Sequence, residues 1–341
     1  MNRVTVRTPG AVKVLAAGAL MLISSAGWAS ISAASSLPKA NANCTVGFSD
    51  PTAGNTYLAN SEAGASAYLA KQGCKLVTLQ ADYSTTTEIS NIQTFITEKV
   101  SAIVIWPLDS QTDTTVLTQA ASAGIPVIGY DAVATTPSGT APSAPFTGQY
   151  LDAHANKSFI EQRFQYLKAH LPGGKGQVAY IGYGQPVAAL NQDYALTMQV
   201  AKQFPTIKVV ERVNNATDDI AGAVAPAAAA LARYPKLAAF ICYNDPSAIG
   251  AASAVKAAGR KGKVIILGSE LDIPGVAAIK SGEISASWDF SAYSAAGTDL
   301  GTLTWEAINN EASAKTTIIG PFAQYNKKNI GKLTATEKSH L

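Results

Sequence analysis

From Cys44 onward, short apolar runs rich in β-branched residues alternate with longer stretches whose apolar positions recur at helical spacing. Buried strands are expected at Cys44 to Ser49, Lys75 to Leu79, Ala102 to Trp106 and Pro126 to Tyr130. Between them lie helical patterns near Tyr57 to Gln72, Thr86 to Lys99 and Gln111 to Ala123. Near-continuous apolar strands separated by helices describe a parallel sheet covered on both faces. The stretch Pro137 to Pro145 is rich in Pro, Ser, Gly and Thr, and behind it the pattern restarts. Strands at Gln177 to Ile181, Ile207 to Val213, Ala238 to Tyr243 and Val264 to Gly268 alternate with helices near Ala153 to His170, Ala188 to Phe204, Ile220 to Tyr234 and Ser247 to Gly259. Two α/β domains of similar size follow, which a chain of 341 residues accommodates after removal of an export segment.

That segment has its own pattern. Arg3, Arg7 and Lys13 precede an apolar core from Val14 to Ile23, and Gly27 and Ala29 supply the small residues that a signal peptidase reads. Residues 1–29 are therefore expected to be a cleaved signal peptide. A membrane anchor is the alternative, but the uncharged stretch from Val14 to Ala34, seeded with Ser and Gly, is a poor 30 Å span. Composition removes other classes. The net charge of +3 and its scattered Lys and Arg do not make a nucleic-acid surface. Three histidines and three cysteines, none in metal-ligand spacing, argue against a metal site, and no cofactor motif is present. Gly182 to Val187 follows a strand like a dinucleotide loop, but Val187 stands at the third glycine and Pro186 intrudes. Asp218 and Asp219 read as a helix N-cap and first-turn pair, and His154 as the start of a helix.

In open parallel sheets ligands sit at the carboxyl ends of strands. Here those positions hold Asp50 to Tyr57, Trp106 to Asp109, Asp131, Tyr183 to Gln185, Asn244 with Asp245, and Glu270 to Asp272. Short acids and amides can take paired hydroxyl hydrogen bonds, while flat rings can cover the C–H faces of a sugar. Taken singly, Asn244, Asp245 and Asp109 also suit helix N-caps.

The run Phe240 to Ala251, with Asn244 and Asp245 at a strand end and an Ala-hydrophobic-Gly-Ala pattern at Ala248 to Ala251, is followed by Val264 to Glu270 and Ala278 to Ile284. Together with the "IPVI..D" element in Gly124 to Asp131, these resemble the periplasmic sugar-binding proteins of the ribose and galactose type, from about Thr45 to Ile319. The resemblance implies the type I periplasmic-binding-protein fold: two doubly wound, parallel-sheet α/β lobes joined by a three-crossover hinge. It places the N-terminal lobe at 44–148 plus 291–319 and the C-terminal lobe at 149–290 plus 320–341, with crossings near Gln149, Phe290 and Gly320. It implies a monomer that captures a small sugar or polyol and delivers it to an ABC permease, with no cofactor.

By motif, Asp131, Asn244 and Glu270 fall where the family hydrogen-bonds sugar hydroxyls, Glu270 standing where an Asp is usual. Tyr57 lies at a stacking position, Trp106 replaces a polar residue, and Asp289 or Phe290 occupies a crossover position that often supplies an amide. The departures argue against a ribose site. Ala132 stands where ribose binders carry Arg, Leu190 to Gln192 lies where an Arg reaches the sugar, and Thr217 and Ser269 replace aromatics. Asn191 or Gln192 substitutes for that Arg or lies on the helix surface. Cys44 and Cys74 open the first two strands, which this fold sets side by side, so their Cα atoms can approach to the roughly 4.4–6.8 Å of a disulfide; two buried thiols are the alternative. A sensor subunit for chemotaxis or a membrane kinase would use the same ligand-closed form. An exported carbohydrate-active enzyme would need a carboxylate pair such as Asp131 and Glu270.

Overall fold

A computed structural model describes residues 44–53, 56–109, 112–132, 145–185, 187–290, 293–314 and 316–333. The expected signal peptide at 1–29 lies outside the described residues. The described residues form one compact unit containing two sheets.

The first sheet is built from β1 (Cys44–Asp50), β2 (Cys74–Gln80), β3 (Ala102–Ile105), β4 (Val127–Tyr130) and β5 (Gly148–Leu151), joined at its edge by β11 (Thr317–Ile319). Its order is β11-β5-β4-β3-β1-β2 and every pairing is parallel. The intervening helices are α1 (Thr56–Lys71), α2 (Thr85–Glu98) and α3 (Thr112–Ser122). The second sheet repeats the plan with β6 (Gly176–Tyr183), β7 (Ile207–Asn215), β8 (Leu237–Cys242), β9 (Ile265–Leu267), β10 (Ala286–Asp289) and β12 (Ala323–Asn326), in the order β12-β10-β9-β8-β6-β7. Only β12 runs antiparallel to its neighbour. Its helices are α4 (Lys157–His170), α5 (Ala188–Ala201), α6 (Ile220–Arg233), α7 (Asp245–Ala257) and α8 (Ile273–Ser281), and α9 (Tyr293–Ile308) returns to the first lobe.

Strands β3, β4, β5 and β10 are buried along their whole length, and β3 and β4 accordingly read as uninterrupted apolar runs. Helix α9 closes the first lobe against α1. A side chain at Gly297 would strike the Ser61 carbonyl and Gly64, so the two helices approach this closely only through glycine. Proline 226 sits in the second turn of α6, one turn deeper than the tolerant helix start.

The chain passes between lobes three times: after β5, after β10 and between β11 and β12. Because β5 is hydrogen-bonded into the first sheet, the first crossing follows Leu151, and the expected exit at Gln149 falls inside a strand. Rings pack the crossings together: Phe159 meets Phe290 at 5.1 Å and Phe322 at 5.7 Å, and His154 meets Phe290 edge-on at 4.9 Å.

At the outer end of the first sheet Cys44 is directly opposite Cys74, with Cα atoms 4.6 Å apart, and the two form a disulfide. Cys242 is a buried free thiol. The second lobe has instead a buried ion pair. Arg163 on α4 donates to Asp193 on α5 at 2.7 Å, Tyr180 donates to the same oxygen at 2.8 Å, and the guanidinium lies 4.3 Å from the Phe159 ring centroid.

Candidate functional site

Both sheets have the doubly wound order in which strand connections reverse direction, between β1 and β3 in one lobe and between β6 and β8 in the other. Such switch points leave a crevice at the carboxyl ends. A cavity of about 20 Å³ lies there, lined by Tyr57, Tyr83 and Trp106 from the first lobe, by Asp152 and His154 from the first crossing, and by Tyr183, Val187, Ala189, Leu190, Asp218, Tyr243 and Glu270 from the second. That volume holds little more than one water, so the lobes are closed upon one another. Tyr83 and Tyr183 meet edge-on across the cleft, with ring centroids 5.6 Å apart. A larger cavity of about 760 Å³ opens at the amino ends of β6, β8 and β9. The strand-end argument does not reach it.

Backbone strain is concentrated at the cleft. Of the non-glycine residues with positive φ, Asp82, Tyr83, Asp131, Asp218, Glu270 and Leu271 all follow strands at their carboxyl ends, Glu270 at φ 84°. Conformations of this kind cost roughly 1–3 kcal/mol each and persist where the surroundings impose them.

The polar groups form a connected set. Asp152 accepts from its neighbour's backbone, His154 N, at 2.7 Å, and from the His154 ring at Nδ1 at 3.0 Å. His154 Nε2 lies 2.8 Å from the Tyr243 carbonyl oxygen, so that nitrogen carries a proton and donates. Burial lowers the imidazole pKa, but the Asp152 charge and hydrogen bond outweigh it and hold the ring above its ordinary value. Asp218 accepts from the Tyr243 hydroxyl and from Asn244 Nδ2 at 2.8 Å; burial nonetheless raises its pKa. Burial, reinforced by Asp218 and other carboxylates, pushes Glu270 well above the usual range. Asp50, at the end of β1, is pushed by burial to about 6.

Of the residues that sequence reasoning nominated, Tyr57, Trp106 and Glu270 line the cavity. Asp131 lies one layer behind, its Oδ1 accepting from Asp152 N and its carboxyl raised by burial and by Asp152. Asn244 caps α7 by accepting from Ser247 N at 2.9 Å and reaches the cleft only through Asp218. Asp289 ends β10 beside Glu270 and is buried. Asn191 is exposed on α5 and accepts from Arg212, away from the cavity.

Sequence reasoning passed over Tyr83, Asp152, His154, Asp218 and Tyr243. The strand-end rule, applied to β2, leads to Asp82 and Tyr83. Asp219, not Asp218, caps α6, accepting from Gly222 N at 2.7 Å, which frees Asp218 to face the cleft. His154 sits in a short 3-10 turn ahead of α4, so a reading as an ordinary helix start hides it. Among the described residues no three His, Cys, Asp or Glu side chains are placed to hold a metal ion.

Two switch-point crevices facing each other across three crossings define a two-lobed binding protein. Residues 46–312 match the family described as periplasmic binding protein domain, and the chain belongs to it. The ribose import binding protein of Bacillus subtilis is 23% identical over 243 residues, 71% of this chain and 74% of that protein. A xylitol-binding protein of Mycolicibacterium smegmatis is 26% identical over 236 residues, 67% of this chain and 62% of that protein. In fold, the chain resembles an ABC-transporter solute-binding protein of Actinobacillus succinogenes solved with D-allose, at a TM-score of 0.72 and 21% identity, over 85% of this chain and all of that one. It also resembles one of Bacillus halodurans solved with myo-inositol, at 0.73 and 18% identity, over 86% of this chain and 98% of that one. The family is one of binding proteins.

Proposed function

We propose that this protein is an exported solute receptor that captures a small sugar or polyol between its lobes in the periplasm and presents the closed form, as a monomer, to an ABC importer. The observation that carries this reading is the cleft lining, in which rings from the first lobe face carboxylates from the second at matching strand ends. A ligand held from both sides gains its full set of contacts only on closure, so it shifts the lobes from open to closed by its differential affinity for the two states. The closed cleft is too small for a hexose, so entry requires the lobes to part. The likeness to sugar- and polyol-binding relatives supports the ligand class.

A thermal-shift screen of monosaccharides and polyols, followed by calorimetry on the hits, tests this. One-to-one binding, a smaller radius of gyration by small-angle scattering at saturation and recovery of unchanged ligand are expected. Chromatographic detection of a converted product that disappears in Glu270→Ala would overturn the receptor reading. So would a complete absence of binding across the screen.

A further inference from the structure

We propose that the second lobe carries a separate anion site, at its end remote from the cleft, for a compact group with two or more phosphate charges. This site does not rest on the receptor reading.

The site is the cavity of about 760 Å³ at the amino ends of β6, β8 and β9. Small-molecule sites commonly have roughly 300–1,000 Å³, so a ligand has room here that the closed cleft lacks. Six of the chain's 26 Lys and Arg line it, Lys175, Lys236, Lys256, Arg260, Lys261 and Lys263, against one carboxylate, Glu283. Arg3, Arg7 and Lys13 account for the net charge of +3, so residues 30–341 hold as many acids as bases. The basic surplus at this cavity is therefore offset by acids elsewhere on the molecule. A cation near a helix C-terminus is ordinary, and Lys256 in the last turn of α7 has that reading. The others lack it. Lys175 precedes β6, Lys236 precedes β8, and Arg260, Lys261 and Lys263 lie on the connection between α7 and β9.

The second observation is that these charges are not spent on one another. Among the described residues four ion pairs form, and none includes any of the six cations or Glu283. Arg260 Nη2 donates to the Leu237 carbonyl at 2.5 Å, which fixes the guanidinium at the wall, and its Nη1 has no hydrogen-bond partner among the described residues. The connection itself is held by Arg260 N on the Val255 carbonyl and Lys263 N on the Arg260 carbonyl, both at 2.9 Å. Beneath the cations Leu237, Val255 and Ile266 form a buried apolar floor. A wall of low polarity strengthens Coulomb forces, both the repulsion among crowded cations and their attraction for an anion. Ammonium and guanidinium groups both suit phosphate oxygens. The cations come from three separate segments, so a group with two or more charges engages more than one wall, whereas a single carboxylate does not.

Calorimetry with inorganic pyrophosphate at about 0.15 M salt tests the soluble form of this ligand. Co-sedimentation with phosphatidylcholine vesicles, with and without cardiolipin, tests a lipid headgroup carrying two phosphates. Two variants probe opposite walls, Lys256→Gln with Lys263→Gln and Lys175→Gln with Lys236→Gln. All four lysines are exposed, so the melting temperature should hold in both, and either variant suffices if the other misfolds. One-to-one binding of pyrophosphate, weakened about tenfold or more in the variants while acetate binds no better to the parent than to them, is the expected result for a free phosphorylated solute. Cardiolipin-dependent sedimentation that the variants lose and pyrophosphate competes away would assign the same site to a headgroup. Binding that both variants leave unchanged, or no binding in either arm, would overturn the site.

Discussion

The two lobes share a strand order but divide the work at the cleft. Among the described residues the first lines it with rings, Tyr57, Tyr83 and Trp106, while the second contributes Asp218 and Glu270 alongside Tyr183 and Tyr243. They also differ in what holds them together away from the cleft. The first has a covalent link between the outer ends of β1 and β2, and the second a buried Arg163–Asp193 pair between α4 and α5. A common scaffold fixes the strand order while the residues that follow the strands differ, so one lobe can specialise in apolar contact and the other in charge.

The largest effect is expected at the buried ion pair. Asp193→Ala leaves the Arg163 guanidinium buried without its counter-ion, which costs roughly 3–5 kcal/mol and should lower the melting temperature by roughly 10 °C. The double change Arg163→Met with Asp193→Leu should restore most of that loss. If the single variant melted within 1–2 °C of the parent, the pair would not be the second lobe's staple. Next comes the disulfide. Changing Cys44 and Cys74 to Ala releases a loop closed over a 30-residue separation, with an expected cost of about 3.6 kcal/mol in the chain-entropy description. Denaturant unfolding of the two proteins measures it, and the same loss in parent protein treated with reductant would tie the effect to the bond.

The cleft comparison sharpens with binding measurements on whichever ligand the screen identifies. Trp106→Ala should weaken binding by about five- to 150-fold, through lost ring contact and the lost indole donor. Asn191→Ala, exposed and outside the cavity, should change it less than threefold. Equal losses in both would discard this cavity as the site. The smallest effect concerns pH. Asp50 in the first lobe and Asp218 and Glu270 in the second all have raised pKa values in the folded protein. A raised carboxyl retains its proton when folded and loses it when unfolded, so stability increases as pH falls from 7 through about 6 toward the unfolded value near 4. The ligand-free protein should melt a few degrees higher at pH 5 than at pH 7, and a lower melting point at pH 5 would contradict the buried placement of these acids.

The alternation of apolar runs and helical stretches, from Cys44 to Gly268, is enough to locate eight strands and seven helices close to where they form, because a parallel strand buried on both faces must be apolar throughout. The same pattern says little about β5, β11 and β12. These short strands flank the crossings, and Gly148 to Leu151 joins the first sheet by pairing with β4 on one side and β11 on the other. Trp106, Tyr57 and Glu270 were legible as cleft residues because each directly follows a strand or opens the next helix. His154 and Asp152 were not, since their roles depend on a carbonyl at Tyr243, 89 residues away in sequence. Asp218 had the composition of a helix cap, and only the positive φ that precedes α6 assigns the cap to Asp219 and leaves Asp218 to the cleft. Periodicity is set by which faces a segment buries, so one chain segment carries that information by itself. Which strand ends meet across the cleft, and which charges find partners there, depends on two separate lobes closing on each other, and only the tertiary structure decides that.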